Sequence, residues 1–471
     1  MEKKVLFKLS EAAKWCGGTL VGEDCDVCTA EIDSRKITSG SGTMFVALKG
    51  DNTDGHNYIE KAVQNGAVCV LCQRDPIGSA IVVDDTLKAL GDIANGFKNR
   101  IKSLKRTFAV TGSVGKTTTK EFMASVFGTT YKTHKTDGNF NSVIGLPLTV
   151  FDMENDVEAA VFEMGMSSFG EIAAMVDIAH PDGAIITNIG TSHMEMLGSR
   201  DNILKAKLEI TKNFTKESVL VLNGDDPYLW KESQKEVGYR RIYSAIFNGE
   251  ADYIGKNVSF SDGGLCYDIY IKSENRTVSG IKIPAIGMHN VYNSLAVFAL
   301  AYTFGISEEN IKNGLLNYKT TGMRQKIYEV DEYTVIADCY NASPESVRAS
   351  CKTLTELAKE KNVRTHAVLG EMRELGSASA VLHRETGAEA FKLGVDHIYL
   401  WGTNAEKIAQ GAIEAGMDPE CVHMFSDGSS YGELTKSIRR NISHGDIIMF
   451  KASRAVKLEE AIENFEGSFK E

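Results

Sequence analysis

A glycine-rich stretch near the end of the first quarter of the chain combines the residue types that a phosphate site needs. It lies between an apolar run typical of a buried strand, at 108–110, and a segment of helical periodicity at 120–127. In such a turn, glycines let backbone N–H groups approach an anion, and the helix N-terminus adds partial positive charge. The stretch is Thr111-Gly112-Ser113-Val114-Gly115-Lys116-Thr117-Thr118-Thr119. We predict a phosphate cradle in which Lys116 reaches the β- and γ-phosphates and the Thr117 hydroxyl binds Mg²⁺.

The spacing of this loop departs from the common nucleotide-binding pattern. That pattern has four residues between its two glycines, and here two residues separate Gly112 from Gly115. Gly-Lys-Thr also occurs by chance in loops, which is the alternative without function. The position between a strand and a helix favours the phosphate site.

Two further residues whose side chains could take part in catalysis or metal binding follow apolar runs in the middle of the chain. Glu163 ends the run 158–163, and His193 comes shortly after the run 183–189. Strands that alternate with helices imply a parallel sheet with its site at the C-terminal strand ends, on the same side as the phosphate loop. A carboxylate and an imidazole near nucleotide phosphates suggest a metal site. The alternative for His193 is a capping or core histidine.

Two asparagines, Asn290 and Asn293, lie one turn apart at the start of an apolar helix and share a face. An amide offers both a donor and an acceptor, as the edge of adenine requires. Helix capping by Asn290 alone is the alternative. The residues by themselves do not choose between the two.

Composition and charge limit the classes of protein to which the chain can belong. At 471 residues the chain is too long for one core, so we expect two to four domains. Its net charge of -11 argues against nucleic acid or an anionic membrane as the main partner. No apolar run is long enough to span a bilayer, and the first residues lack the apolar core of a secretory signal. We expect a cytoplasmic enzyme that binds no nucleic acid and has no stable membrane insertion.

The elements on either side of the phosphate loop predict α/β domains. The first hundred residues alternate short strands and helices, and Asp33, Ser34 and Arg35 fall near a strand end, where small α/β domains bind ligands. A surface ion pair between Asp33 and Arg35 is the alternative, which the residues alone favour. Residues 251–286 alternate apolar and polar positions, which predicts antiparallel strands added to the central sheet. Five strand-like runs after residue 318 predict a second doubly wound domain.

Taken together, these segments resemble the Mur ligases of peptidoglycan synthesis over essentially the whole chain. The short phosphate loop is similar to the variant of that family, and further matching motifs lie at 138–141, 163–165, His193, 205–207 and 289–293. Segments 338–344 and 370–376 resemble the member that adds a D-alanyl-D-alanine dipeptide, and the Asn-Pro-Arg signature of the diaminopimelate-adding member is not found. Many relatives have Asn where this chain has Val114, which puts one side-chain contact in doubt because the backbone binds the phosphate.

The resemblance implies an α/β protein of three domains. Residues 1–103 would bind the UDP-linked substrate, residues 104–317 would form a parallel-sheet P-loop ATPase domain with added antiparallel strands, and residues 318–471 would form a Rossmann-like domain for the amino substrate. ATP would phosphorylate the carboxylate of a UDP-N-acetylmuramoyl tripeptide, and the amine of D-alanyl-D-alanine would attack the acyl phosphate. Another Mur ligase or a folylpolyglutamate synthase is the alternative. The hundred residues before the loop speak against the folate enzyme. We expect a monomer.

The resemblance also implies roles for individual residues. Lys116, His193 and Lys207 would be catalytic, with two Mg²⁺ ions held by Thr117, Glu163, His193 and Lys207. Lys207 resembles the carbamylated lysine of the family, and its modification requires that the site lower its pKa; the alternative is an exposed lysine paired with a carboxylate. The nucleotide would contact Gly112, Ser113, Val114, Gly115, Lys116, Thr117, Thr118, Asn290 and Asn293 (adenine), Arg324 (phosphates) and Asp338 (ribose). The other substrates would contact Ser34, Arg35, Thr43, Asn139, Asn141, Tyr340 and Asn341.

A domain movement is also expected. Arg324 lies in the linker that precedes the last domain, so it would engage the ATP phosphates when that domain closes onto the central one.

Overall fold

The computed structural model describes residues 4–50, 52–261, 264–320, 325–426 and 428–469. Within these residues, the strands form sheets of five, nine and six strands and one two-stranded ribbon. The three larger sheets follow one another along the chain, as the α/β class with three domains predicts. None of the helices in the described residues is both long enough and apolar enough to cross a bilayer.

The N-terminal part forms the five-stranded sheet. Its elements are β1 (Phe7–Lys8), α1 (Leu9–Cys16), β2 (Thr19–Val21), β3 (Asp26–Val27), β4 (Thr29–Glu31), β5 (Thr43–Val46), α2 (Ile59–Gln64), β6 (Cys69–Cys72), β7 (Ala80–Val82) and α3 (Thr86–Arg100). The sheet order is β2-β7-β6-β5-β4, parallel except for β2, and β1 pairs with β3.

The central part forms the nine-stranded sheet. Its elements are β8 (Arg106–Thr111), α4 (Lys116–Phe127), β9 (Thr133–Lys135), α5 (Gly145–Phe151), β10 (Ala159–Glu163), α6 (Glu171–Ala179), β11 (Gly183–Ile186), α7 (Met194–Leu197), α8 (Arg200–Leu208), β12 (Val219–Asn223), α9 (Pro227–Trp230), β13 (Arg240–Ala245), β14 (Tyr253–Ser261), β15 (Gly264–Ile271), β16 (Arg276–Ile283), α10 (Met288–Thr303) and α11 (Glu308–Leu316).

The order of the central strands determines where the site lies. It is β16-β15-β14-β13-β12-β11-β8-β10-β9, parallel from β9 to β14 and antiparallel from β14 to β16. The antiparallel strands were predicted from the alternation of apolar and polar positions in residues 251–286. Strand β8 lies between β10 and β11. After β8 the chain adds β9 and β10 on one side of that strand, and it then crosses over to add β11 on the other side. Such a reversal opens a crevice at the C-terminal strand ends, where α/β sheets bind ligands.

Burial explains why the middle strands of this sheet are apolar along their whole length. Helices α4 and α10 pack on one face of the sheet and α5 and α6 on the other, so β10 and β11 are buried at every position. Strands covered on both faces carry continuous apolar runs and no alternation. The first polar side chains therefore appear where a strand ends, and this places Glu163 at the edge of the crevice.

The C-terminal part forms the six-stranded sheet. Its elements are β17 (Lys326–Val330), β18 (Tyr333–Ala337), α12 (Pro344–Lys361), β19 (Thr365–Gly370), α13 (Ser379–Leu393), β20 (His397–Trp401), α14 (Ala405–Glu414), β21 (Val422–Phe425), α15 (Tyr431–Asn441), β22 (Ile447–Lys451) and α16 (Glu459–Gly467). The order is β17-β18-β22-β19-β20-β21, with only β17 antiparallel. Strands β18 to β22 correspond to the five predicted runs, and β17 is an addition.

The two junctions between the three parts differ in chemistry. The N-terminal and central parts share one apolar core, in which Phe97 contacts Phe7 and Phe151 edge-on. The central and C-terminal parts are joined by polar contacts, such as the Thr191 N–H that donates to Glu345 at 2.7 Å. The first two parts therefore pack as one body, and the third contacts it through groups that water can also satisfy. The boundaries at 103 and 317 remain predictions.

Candidate active site

A cavity of about 620 Å³ lies between the central and C-terminal parts at the crevice of the nine-stranded sheet. Its volume is within the ~300–1,000 Å³ typical of small-molecule sites. Most of the predicted site residues line it together, although they come from both parts of the chain. They are Ser113, Val114, Gly115, Lys116, Thr117, Thr118, Asn141, Glu163, His193, Asn290, Asn293, Asp338, Tyr340 and Asn341.

Six other predicted residues do not line this cavity. A seventh, Arg324, lies outside the described residues, so its contact with the ATP phosphates stays a prediction. Gly112 immediately precedes the lining part of the loop, and Lys207 is buried behind the lining. The remaining four are Ser34, Arg35, Thr43 and Asn139, of which the first three belong to the N-terminal sheet domain.

The phosphate loop joins β8 to α4, as the sequence predicts. Helix α4 begins at Lys116, and Gly115 precedes it in the left-handed region at a φ of 86°. A Cβ at Gly115 would lie 2.8 Å from Asn293 Oδ1, so glycine serves both the backbone angle and the close approach of α10. The Lys116 ammonium donates to the carbonyl oxygens of Gly112 at 2.9 Å and Ser113 at 3.3 Å. The loop thus presents a cation and a helix N-terminus to the cavity.

A clamp from the neighbouring strand holds the loop, and the sequence prediction missed it. The side chain of Asn188, just after β11, accepts the N–H of Val114 and donates to its carbonyl oxygen, both at 3.0 Å. Thr187 Oγ1 donates to the same carbonyl at 2.6 Å, and the Gly190 N–H donates to Ser113 Oγ at 2.8 Å. The sequence feature that could have revealed this clamp is the pair of polar residues, Thr187 and Asn188, at the C-terminal end of an apolar run.

Glu163 has the features of a cation ligand. Its Oε1 accepts a hydrogen bond from Asn141 Nδ2 at 2.7 Å, whereas its buried Oε2 accepts none from the described residues. A buried carboxylate oxygen without a donor is costly, and a metal ion removes that cost. Buried Thr117 lines the same cavity and supplies a hydroxyl. No group of three or more His, Cys, Asp or Glu side chains in the described part of the chain is arranged so that it could hold a metal ion by itself. Two protein oxygens nevertheless fit Mg²⁺, which takes its other ligands from water and phosphates.

His193 connects the two parts of the chain that form the cavity. Its Nδ1 lies 2.9 Å from Oε2 of Glu374, which follows β19, and the hydrogen bond from His193 lowers the pKa of Glu374 despite partial burial. Both residues have positive φ values, 64° and 66°, which are uncommon for residues other than glycine and concentrate at functional sites. The imidazole is about one-fifth exposed, so the core-histidine alternative is wrong.

Lys207 is a buried cation on α8. Its side chain is fully buried, and burial together with the nearby charge of Lys116 holds its pKa well below the ordinary value. No carboxylate of the described residues forms an ion pair with it. The alternative of an exposed lysine paired with a carboxylate is therefore wrong.

Another part of the cavity wall combines two amides with a buried ion pair. Asn290 and Asn293 are both buried, and Asn293 Nδ2 lies 3.4 Å from Asn290 Oδ1. Helix α10 begins at Met288, so Asn290 lies inside the helix and the capping alternative is wrong. Asp338 accepts hydrogen bonds from Lys451 Nζ and Ser350 Oγ, both at 2.7 Å and both on Oδ2. Those donors hold the carboxylate in the cavity wall.

The N-terminal candidates have ordinary structural partners. Arg35 forms a bidentate pair with Asp33, with N–O distances of 2.8 and 2.9 Å, as the ion-pair alternative predicts. Ser34 and Thr43 are buried, and Thr43 Oγ1 contacts Ser41 Oγ. A role in binding the UDP-linked substrate remains a prediction for these three residues.

Comparison with named sequence relatives identifies the family to which the chain belongs. A Bacillus subtilis (strain 168) protein named UDP-N-acetylmuramoyl-tripeptide–D-alanyl-D-alanine ligase is 38% identical to this chain, over 98% of each sequence. The chain belongs to the Mur ligase family. Three family models match this Mur ligase: "Mur ligase family, catalytic domain" at residues 29–98, "Mur ligase middle domain" at 110–301 and "Mur ligase, glutamate ligase domain" at 323–454. The resemblance predicted from the motifs is confirmed.

Solved structures agree with this assignment. MurF from Acinetobacter baumannii has a TM-score of 0.88 to this Mur ligase at 27% identity, covering 97% of this chain and 98% of that one. A MurF ligase from Thermotoga maritima in complex with ADP has a TM-score of 0.80 at 28% identity, covering 94% and 98%. The three-domain α/β fold class predicted from the sequence is confirmed.

The clamp on the phosphate loop leads to a test of ATP affinity. In Asn188→Ala the Val114 N–H and carbonyl lose two hydrogen bonds, and we expect the Kd for ATP, measured by calorimetry with Mg²⁺, to rise about tenfold. The matched control is Val114→Ala, which keeps both backbone bonds and should change the Kd by less than about twofold. Equal losses of ATP affinity in the two variants would contradict the role of Asn188 in holding the phosphate loop.

Proposed function

We propose that this Mur ligase joins UDP-N-acetylmuramoyl-tripeptide to D-alanyl-D-alanine, with ATP converted to ADP and phosphate. The supporting observation is the composition of the main cavity: the phosphate loop and the polar strand ends of the C-terminal part line it together. A nucleotide and an amino acceptor can react only if their sites open into a common space. The full-length relatives named for the same reaction support the choice of substrates.

The reaction needs an activated carboxylate, because a free carboxylate is a poor acyl donor. The γ-phosphate of ATP passes to the terminal carboxylate of the tripeptide, which gives an acyl phosphate and ADP. The amine of the dipeptide then attacks the acyl carbon, the C–O bond to phosphate breaks, and an amide forms as the amine loses a proton. The chain must hold three reactants in line and neutralise the negative charge that gathers among them.

Cationic groups of the phosphate loop supply the neutralisation. Lys116 and the N-terminus of α4 would face the phosphates, and Thr117 and Glu163 would hold a Mg²⁺ ion that supplies positive charge beside the transferred group. His193 would contribute to a second Mg²⁺ site, as the family resemblance implies. These roles rest on the loop geometry and on the unpaired Oε2 of Glu163.

The remaining predicted residues position the reactants. We assign Asn290 and Asn293 to adenine, Asp338 to the ribose and Arg324 to the ATP phosphates. We assign Asn139 and Asn141 to the muramoyl substrate and Tyr340 and Asn341 to the amino substrate. The UDP end would lie on the N-terminal domain near Ser34, Arg35 and Thr43. The enzyme acts as a monomer in the cytoplasm, where ATP and UDP-linked precursors are made.

Lys207 is proposed to carry a carbamate. The modification requires a neutral amine, and a fully buried lysine with a lowered pKa and no carboxylate partner among the described residues meets that requirement. A carbamate converts the cation into an anion that can bind a metal ion or orient a water molecule.

A folylpolyglutamate synthase is the main alternative activity. The N-terminal sheet domain argues against it, because that domain precedes the phosphate loop and shares a core with the central part. Glutamate with a folate should therefore support no ADP release.

The proposed function predicts ADP release that depends on both co-substrates. With ATP and Mg²⁺, purified protein should release ADP only when the UDP-linked tripeptide and D-alanyl-D-alanine are both present, and mass spectrometry should detect the amide product. Glu163→Gln replaces the carboxylate by a neutral amide, which binds a cation more weakly. We expect kcat to fall at least about 100-fold.

The matched control for this assay is Glu171→Gln. Both carboxylate oxygens of Glu171 already accept backbone N–H groups, from Ser167 and Ser168. We expect kcat to stay within about threefold of the wild type. ADP release that ignores both co-substrates would contradict the proposed function.

The carbamate predicts a signal from labelled carbon dioxide. Protein equilibrated with ¹³C-bicarbonate should show a carbamate resonance by ¹³C NMR, and this resonance should disappear in Lys207→Ala. Lys205→Ala is the matched control, because Lys205 is exposed on the same helix and should leave the resonance intact. A resonance that survives Lys207→Ala would contradict the assignment.

A further inference from the structure

A second, smaller cavity adjoins the main one. Its volume is about 240 Å³, and its walls are the strand-end segments 341–343, 373–375 and 453–455 together with Ser192. Ser192, Asn341 and Ser343 line both cavities, so the two are neighbours with a common wall. The volume is below the ~300–1,000 Å³ of sites for drug-sized ligands, so the cavity suits a smaller molecule than a nucleotide or a sugar-linked peptide.

Two arginines give one side of this cavity a positive charge. The guanidinium of Arg454 lies 5.3 Å from the centre of the Tyr340 ring and pairs with no carboxylate of the described residues. The nearest carboxylate oxygen to Arg373 belongs to Glu371, at 4.0 Å, which is too long for a hydrogen bond. Both guanidinium groups therefore retain donors for a ligand, and their planar fork matches a carboxylate.

The backbone around Arg373 is held by a buried hydroxyl. Ser453 Oγ accepts the Arg373 N–H at 3.1 Å, and Ser453 itself is 4% exposed. This bond joins the ends of β19 and β22, which carry the two arginines. The bond thus ties the backbone at Arg373 to the segment that carries Arg454.

The opposite charge lies where the two cavities meet. Glu374 lines the small cavity, and its Oε2 contacts His193, which lines the main cavity. A positive group bound beside Glu374 would therefore lie on the side of the phosphate loop. The small cavity thus carries one carboxylate, which contacts a residue of the main cavity, and two guanidinium groups.

We propose that this cavity binds the acceptor peptide as a zwitterion, with its terminal carboxylate on Arg373 and Arg454 and its amino end beside Glu374. The inference rests on the proposed function and adds the residues that select the acceptor. A short peptide with free ends carries one charge at each terminus, and these charges are opposite to those of the two arginines and Glu374. The orientation places the nucleophilic nitrogen nearest the main cavity, where the acyl phosphate forms.

The test compares two acceptors that differ only at the carboxyl end. The wild type should use D-alanyl-D-alanine about 10- to 100-fold better, in kcat/KM, than D-alanyl-D-alaninamide, because the amide cannot pair with the arginines. Arg373→Met and Arg454→Met should each lose most of this preference, chiefly through KM for the dipeptide, with KM for ATP within about twofold of the wild type.

Arg384→Met is the matched control, because Arg384 pairs with Glu414 on the outer helices and should keep the full preference. A wild type that uses the two acceptors equally, or arginine variants that melt normally and keep the preference, would overturn the inference while leaving the ligase reaction intact. Absence of any dipeptide-dependent product would instead contradict the proposed function.

Discussion

Repulsion between like charges is the constraint on which the rest of this structure depends. A triphosphate and a carboxylate are both anions, and the proposed reaction requires them to approach to bonding distance. The chain offers the Lys116 ammonium and the N-terminus of α4 at one edge of a sheet, where Glu163 Oε2, which accepts no hydrogen bond from the described residues, would hold a Mg²⁺ ion. These groups converge because β8 and β10 are adjacent parallel strands, so their C-terminal ends share that edge.

The chemistry of the two interdomain junctions suits this arrangement. A shared apolar core fixes the N-terminal domain to the central one, which would keep a substrate bound to the N-terminal domain, as proposed, in register with the phosphate loop. The C-terminal domain meets the central one through polar contacts, including Thr191 with Glu345 and His193 with Glu374. Polar contacts exchange readily with water, so this junction can open for substrates at a lower free-energy cost than an apolar core.

The sequence was most informative where chemistry is local. Strand, turn and helix around Lys116 follow one another along the chain, and Glu163 directly ends a buried run, so their positions could be predicted. Asn188 and Glu374 were missed because their partners are distant in sequence, 74 residues away for Val114 and Asn188. The burial of Lys207 was equally hidden, since its polar neighbours resemble an exposed helix. In the N-terminal domain, Arg35 is engaged by Asp33, as the local pattern favours.

The central claim is that the terminal phosphate of ATP passes to the carboxylate of the tripeptide before the amide forms. Its most direct test uses UDP-linked tripeptide labelled with ¹⁸O in the terminal carboxylate, incubated with ATP, Mg²⁺ and D-alanyl-D-alanine. Transfer through an acyl phosphate predicts that one ¹⁸O atom appears in each inorganic phosphate released, as measured by mass spectrometry. Amide product accompanied by unlabelled phosphate would contradict the account.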